Sequence, residues 1–215
     1  MNNQFSRPAV PLIVSLVILF AVPHSAPCAE FSADLIRSSG GESDRSKVYL
    51  KGDLRREETF EDGELSAVTI FRPDKGVTWN LMPEDEMYME VPLVEGMDGA
   101  EGNIDKLERS ANVEILGEET VNGFVCEKRL YGGSDEAPGE VVAWYSKDLD
   151  YPVKLQIRFF EGEDELVLEY QNIEVGEVPD SKFEIPESYE KFAIPGMPEG
   201  FVPGEIPQEM PSTEG

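Results

Sequence analysis

Residues 153–159 read Val153-Lys154-Leu155-Gln156-Ile157-Arg158-Phe159, with apolar and polar side chains in strict alternation. Successive side chains of a β-strand point to opposite faces of its sheet, so this pattern predicts a strand with one apolar and one solvated face. Sheets with one solvated face are typically antiparallel. The stretch therefore predicts an antiparallel sheet that must cover one of its two faces.

The same alternation recurs from Phe31 to about Ile185, interrupted by short turns. Asp62-Gly63 and Asn122-Gly123 are typical of two-residue hairpin turns, and Pro73 with Gly76 indicates another turn. About ten strands follow, and a strand is also expected at Lys182 to Ile185. The one candidate helix lies at Ile104 to Ala111, in a glycine-containing stretch. The sequence thus predicts a mainly β fold with little helix. Its apolar face is covered by a second sheet, by closure into a barrel, or, in an open curved sheet, by a helix, the C-terminal tail or an apolar ligand.

The two ends of the chain differ from the middle. Residues 12–22 are almost entirely apolar, follow Arg7, and precede small residues up to Ala29, which is typical of a signal peptide. The run is too short for a stable membrane span. We expect a signal peptide over residues 1–29 with cleavage near Ala29. Acylation of Cys28 is less favoured because Pro27 precedes it, and an uncleaved anchor is the other alternative.

The C-terminal end is rich in proline, glycine and glutamate, which disfavours central strands and long helices. We expect a β domain over residues 30–187 and a flexible tail over 188–215. The tail carries apolar residues such as Phe201, so it is either solvated or docked on the domain or on a partner.

Charge and histidine content restrict the function. Cleavage near Ala29 leaves 17 basic and 44 acidic residues, a net charge of −27, which disfavours binding to nucleic acid. His24, the only histidine, leaves with the signal peptide, so histidine-dependent catalysis and the usual zinc sites are excluded. We expect no enzyme activity, no metal and no cofactor. Cys126 would then be the single cysteine, and its apolar neighbours on the predicted strand favour burial.

Large apolar residues on the predicted strands are candidates to line a ligand cavity on the apolar face of the sheet. Methionine side chains are flexible and adapt well to irregular ligands. Any of these large residues could instead pack simply as core. The candidate ligand-binding residues are Trp79, Leu81, Met87, Met89, Phe124, Trp144, Leu155, Ile157 and Phe159.

Several motifs occur in an order that resembles a known family. They include Lys51-Gly52-Asp53-Leu54-Arg55-Arg56, Phe71-Arg72-Pro73-Asp74-Lys75-Gly76-Val77-Thr78-Trp79, Leu116-Gly117-Glu118-Glu119-Thr120-Val121-Asn122-Gly123-Phe124-Val125-Cys126, and Trp144-Tyr145-Ser146-Lys147-Asp148-Leu149. The set resembles a bacterial domain-of-unknown-function family related to the outer-membrane lipoprotein carriers, the LolA-like superfamily. The resemblance implies a curved antiparallel half-barrel around an apolar cavity, and it implies no catalytic residue. The chain departs from the carriers in its short candidate helix and its proline-rich tail.

Two functions follow as hypotheses. The first is an exported, periplasmic or secreted protein that binds a lipid, a lipoprotein acyl chain or another apolar ligand in the concave face. The second is a non-enzymatic interaction or envelope-sensor module with a self-filled core, whose proline-rich tail or an exposed strand edge contacts an envelope protein.

Overall fold

A computed structural model describes residues 29–93, 112–132, 139–159 and 165–192. Nearly all of these residues lie in β-strands, and one short 3-10 helix spans Asp180–Phe183. The strands are β1 (Glu30–Ser39), β2 (Glu42–Lys51), β3 (Leu54–Glu61), β4 (Glu64–Arg72), β5 (Val77–Met82), β6 (Met87–Pro92), β7 (Asn112–Val121), β8 (Phe124–Gly132), β9 (Gly139–Ser146), β10 (Tyr151–Phe159), β11 (Glu165–Val175) and β12 (Glu190–Lys191).

The strands form one open, curved sheet in the order β12-β6-β5-β4-β3-β2-β1-β11-β10-β9-β8-β7. Every pairing is antiparallel except that of β12 with β6. The first and last long strands of the domain, β1 and β11, pair in the middle of the sheet. The predicted mainly β, curved antiparallel fold is therefore confirmed.

The hairpin turns follow the local sequence. Asn122 and Gly123 have φ angles of 49° and 91°, and Asp62 and Gly63 have 52° and 85°. Two consecutive residues with positive φ make the turn that matches the twist of paired strands, and Asn-Gly or Asp-Gly adopt it most readily. These turns fix the registers of the β3–β4 and β7–β8 pairs.

The strand registers divide the side chains between two faces. Phe31 lies opposite Leu50, and the row continues through Arg55 and Phe71 to Thr78. We call the face that carries this row the inner face. The neighbouring row lies on the other, outer face and runs through Ser32, Tyr49, Arg56, Ile70, Trp79 and Glu90.

The apolar side of the sheet is not the same in its two halves. On β1 and β2 the fully buried residues, such as Leu35 and Val48, are on the inner face. On β4 and β5 the buried residues, such as Ile70 and Leu81, are on the outer face and form a separate cluster. The expectation of one dry and one wet face along the whole sheet is therefore wrong.

The change of side occurs at β3, whose sequence reads Arg55-Arg56-Glu57-Glu58. Alternation gives each face one arginine and one glutamate. Arg55 and Glu57 pair at 2.9 Å on the inner face, and Arg56 and Glu58 pair at 2.7 Å on the outer face. A strand with paired charges on both faces needs no continuous apolar row, so the rows on either side of it can differ.

Residues 176–192, which we call the strap, cover the outer cluster. Val178 and Phe183 are buried against Ile70 and Trp79, and the segment then joins the sheet as β12. The backbone stays bonded to β6 as far as Phe192, whose amide donates to the Tyr88 carbonyl at 2.7 Å. The strand expected at Lys182 to Ile185 is wrong, because this stretch includes the end of the 3-10 helix and packs across the strands instead of pairing with one.

Several sequence-based expectations lie outside the described residues. They concern the signal peptide with Cys28, the helix at residues 104–111 and the tail beyond Phe192. Within the described residues, no helix is long and apolar enough to cross a membrane.

Candidate ligand-binding face

The inner face has an apolar floor on β1, β10 and β11. Leu35 and Leu155 have no exposed surface, and Ile157 and Leu168 are each 3% exposed. Leu155 lies opposite Leu168, and Ile157 lies opposite Leu166, so these side chains form a continuous patch across two strands. The floor therefore consists of closely packed aliphatic groups.

Three aromatic rings border the floor near the beginning of β1. Phe31, Tyr151 and Tyr170 meet edge to face, with ring centroids 5.4 to 6.2 Å apart. The hydroxyl groups of the two tyrosines lie 3.2 Å apart and form a hydrogen bond. Aromatic pairs in this geometry stabilise a core beyond the area that they bury. The cluster fixes the junction of β1, β10 and β11.

A charged belt crosses the inner face next to the floor. Glu57 accepts hydrogen bonds from Arg37 at 2.6 Å and from Arg55 at 2.9 Å, and Arg37 also donates to the Ser46 hydroxyl. Burial alone would raise the pKa of Glu57, but the hydrogen bond from Arg37 and the charges of both arginines outweigh it, so the pKa lies below its ordinary value. Glu57 is therefore ionised at neutral pH and holds both guanidinium groups on this face.

A half-exposed apolar strip continues the inner face beyond the belt, on β4 to β6. Met87 lies opposite Met82, Met89 lies opposite Asn80, and Val91 lies in one row with Phe71. All of these apolar side chains are partly exposed, unlike those of the floor. The inner face thus runs from a buried floor, across a charged belt, to an accessible strip rich in methionine.

The nine predicted ligand-binding residues do not all lie together. Leu155 and Ile157 belong to the floor, and Met87 and Met89 belong to the strip. Phe124 is half-buried and packs against the inner cluster. Phe159 is the last residue of β10, and its side chain lies outside the described part of the structure.

Trp79 and Leu81 lie on the outer face, under the strap. The Trp79 indole N–H donates to Glu90 at 2.9 Å, and the Lys75 ammonium lies 4.7 Å from the ring centroid. Alternation along β5 could show that these two side chains share a face, but it could not show which face of the sheet that would be. Their place under the strap separates them from the floor and from the methionine strip.

Trp144 is buried in the same hydrophobic cluster as the floor, and charged side chains border its ring. The ammonium groups of Lys128 and Lys154 lie 4.6 and 5.1 Å from its ring centroid, and the two lysines are its cross-strand neighbours. Its indole N–H donates to the Glu119 carboxylate at 2.7 Å. These contacts give Trp144 a complete set of partners within the protein.

Cys126 is fully buried, as its sequence neighbours predicted. Burial raises the pKa of its thiol. A buried neutral thiol is a poor nucleophile, so this cysteine is a packing residue.

Sequence reasoning did not find the charged belt. The run of two arginines and two glutamates at residues 55–58 was a signal, because charge on both faces is unusual in a central strand. Arg37 carried no such signal, since its role depends on the β1–β2 and β2–β3 registers that bring it to Glu57. Among the described residues, no group of acidic, histidine and cysteine side chains is arranged to hold a metal ion.

Known structures share this fold at low sequence identity. An uncharacterised conserved protein from Thermus thermophilus superposes with a TM-score of 0.54 at 14% identity, over 77% of this chain and 90% of that one. MucB superposes with a TM-score of 0.51 at 11% identity, over 76% of this chain and 60% of MucB. The complex of MucA and MucB from Pseudomonas aeruginosa gives 0.50 at 12% identity, over 80% of this chain and 62% of that chain. This chain therefore spans less than two thirds of MucB.

A LolA superfamily protein, NE2245 from Nitrosomonas europaea, superposes with a TM-score of 0.40 at 13% identity, over 74% of this chain and 91% of that one. The search of curated proteins gives no significant match. The profile of a family described as "Domain of unknown function (DUF4412)" matches residues 35–152, which is more than half of the sequence. The predicted resemblance to a domain-of-unknown-function family is confirmed, and the chain belongs to the DUF4412 family.

Proposed function

We propose that the protein is a non-enzymatic binding protein of the cell envelope that holds an apolar ligand, such as a lipid acyl chain, against the inner face of its sheet. The half-exposed methionine strip carries this proposal. Met82, Met87 and Met89 present flexible apolar groups on the same face as the buried floor. Each CH₂ group that a ligand buries there contributes about 0.8 kcal/mol.

The charged belt suits an amphiphilic ligand. Arg37 and Arg55 lie between the floor and the strip, where they would meet the polar end of a chain lying along the strip. Guanidinium groups bind carboxylates and phosphates well. Their present partner, Glu57, keeps them oriented in the absence of such a group.

The binding proposal is tested with a fluorescent fatty acid on the purified protein, together with native mass spectrometry. We expect a bound lipid mass or saturable fatty-acid binding. Replacing both Met87 and Met89 by glutamine should weaken binding about tenfold, which corresponds to about 1.4 kcal/mol.

Val125→Gln is the matched control, because Val125 is 58% exposed and lies on β8, away from the strip. This control should bind as the wild type does. A clean apo mass with no binding of the fatty acid would sink the proposal, as would equal loss of affinity in the control.

Export is part of the same proposal. A short apolar run, one preceding arginine and small residues up to Ala29 support cleavage and delivery to the periplasm or the medium. N-terminal sequencing of the protein recovered from its own cells should begin near Glu30. Recovery of the intact N-terminus from the cytoplasmic fraction would contradict export.

A second candidate function is an envelope interaction or sensor module with a self-filled core. The full burial of the floor favours it, because Leu35, Leu155 and Tyr170 already have protein neighbours on all sides. MucB, which shares the fold, has been solved in complex with MucA. Truncation after Phe192 tests whether the proline-rich tail contacts such a partner: lost partner binding with unchanged fatty-acid binding would support this function over the first.

A further inference from the structure

Among the described residues, β7 is a terminal strand whose second edge is unpaired. It stands at one end of the strand order, and β8 is its only strand neighbour among the described residues. Every residue from Asn112 to Thr120 is exposed. An exposed edge strand carries unpaired backbone N–H and C=O groups, which can pair with another extended chain.

Exposed apolar side chains concentrate on the same hairpin. Ile115 is 63% exposed, Val125 58%, Leu116 46% and Val113 42%. These four make up more than half of the large apolar side chains exposed within the described ranges. Single exposed apolar residues are ordinary, but a group on one open edge is typical of an interaction surface.

The charge of the edge identifies its partner class. β7 carries Glu114, Glu118 and Glu119 and no basic residue. Glu119 is engaged by Trp144 and Lys128. Glu114 and Glu118 have no ion pair with any residue that the structure describes. A complementary strand would therefore bring lysine or arginine next to apolar residues.

The same charge disfavours two other occupants. A second copy of this chain would place glutamates against glutamates along the edge, and like charges directly opposite each other destabilise strand pairs. Two long segments of this chain that could reach the edge are also acidic: residues 193–215 carry four glutamates and no basic residue, and residues 94–111 carry five acidic and two basic residues.

We propose that β7 is the docking edge for an extended, basic and apolar segment of a different protein, which adds to the sheet as a strand beside β7. A bulge between Ile115 and Gly117, where Gly117 has a φ of 128°, interrupts the regular edge. Bulges hinder indiscriminate pairing, so the docked segment must accommodate this break. This inference is independent of ligand binding, because β7 lies at the far end of the sheet from the methionine strip.

The contact of Trp144 with Glu119 provides an internal reporter. Glu119 is on β7, and the indole N–H of Trp144 on β9 donates to it. The chain has only one other tryptophan, Trp79, under the strap. In a Trp79→Phe background, a strand that docks on β7 should therefore change the fluorescence of Trp144.

The test uses an acetylated and amidated peptide of alternating lysine and valine, seven residues long, at physiological salt. We expect saturable binding, a change in Trp144 fluorescence, and slower hydrogen exchange for the β7 amides that do not face β8. Glu114→Lys with Glu118→Lys should weaken binding about tenfold. The matched control, Glu61→Lys with Glu64→Lys, has the same change of charge on the exposed β3–β4 turn and should bind as the wild type does.

Equal weakening in both double variants would overturn the proposal, because binding would then follow net charge alone. If the free protein is a dimer and Ile115→Ser converts it to a monomer, a second copy of this chain occupies the β7 edge. In another outcome, the β7 amides are protected from hydrogen exchange in the free chain and lose that protection on truncation after Phe192. That result would show that the chain's own tail occupies the β7 edge. Either of these two results also overturns the proposal.

Discussion

Replacing Phe183 by alanine should remove much of the strap's contribution to stability. Phe183 is 1% exposed, and its ring packs in the outer cluster with Ile70 and Trp79. Truncating a buried phenylalanine to alanine costs about 3 to 5 kcal/mol, depending on how far the cavity can collapse. The strap is a single segment on the surface, so some relaxation is available, and we expect a loss of about 3 kcal/mol in the free energy of unfolding.

Hydrogen bonds from Arg72 should keep the strap docked in the Phe183→Ala variant. The Arg72 guanidinium donates to the Phe183 carbonyl and to Glu184, each at 2.7 Å, and its pKa is raised by the hydrogen bond to Asp74 and by that to Glu184. These bonds hold the backbone of residue 183 even when the ring is gone. The alanine variant should therefore keep the strap docked at neutral pH while unfolding at lower urea concentration.

The assay is urea unfolding followed by circular dichroism for the sheet, and by Trp79 fluorescence for the strap in a Trp144→Phe background. Val175→Ala is the control, because Val175 is 65% exposed and its truncation should change stability by less than about 0.5 kcal/mol. A loss below about 1 kcal/mol for Phe183→Ala would refute the inference that the strap completes the outer hydrophobic cluster. A Trp79 transition well before that of the sheet would show that the strap unfolds separately.

Three further predictions concern the other packed sites. The native pKa of Glu57 is depressed, so its contribution to stability is present above the ordinary carboxyl range of about 4 to 5 and is lost as the pH falls through the native pKa. Glu57→Gln should therefore be less stable than the wild type at neutral pH. In urea unfolding at a series of pH values, the stability of this variant should change less with pH in that range. Trp144→Phe removes the hydrogen bond to Glu119 and should lower the urea midpoint in the same assay, whereas an unchanged midpoint would contradict a structural role for that bond. Cys126 should resist a thiol-specific disulfide reagent in the native protein and react fully in urea, and rapid labelling of the native protein would contradict its burial.

Sequence reasoning predicted the strands well because a β-strand repeats every two residues. In residues 154–158 the alternating side chains divide between the two faces as predicted, with Leu155 and Ile157 inside. The Asn122-Gly123 turn was predictable for an equally local reason, since few residue pairs adopt two consecutive positive φ angles without strain. Features fixed by neighbouring residues could be predicted from the sequence alone.

The change of apolar face at β3 could not be predicted, because alternation shows which residues share a side but does not relate the sides of distant strands. Trp79 and Leu155 both occupy apolar positions of alternating strands, but only the intervening registers show that they lie on opposite faces. The strap was missed for a similar reason. Phe183 and Tyr189 lie in a segment without strand periodicity, and their burial depends on tertiary contacts with β4 and β5.

The strap has a consequence for ligand binding that follows from its position. The strands that carry the methionine strip on the inner face, β5 and β6, are held on the outer face by Trp79, Leu81 and Tyr88 beneath the strap. Strands that are already ordered by packing on their outer face lose little backbone entropy when a ligand binds to their inner face. More of the apolar contact energy then contributes to affinity. The methionine side chains then supply the adaptability, and the strap supplies the rigid support. In this arrangement the strap is not a plug of the proposed binding face, since it covers the opposite side of the sheet.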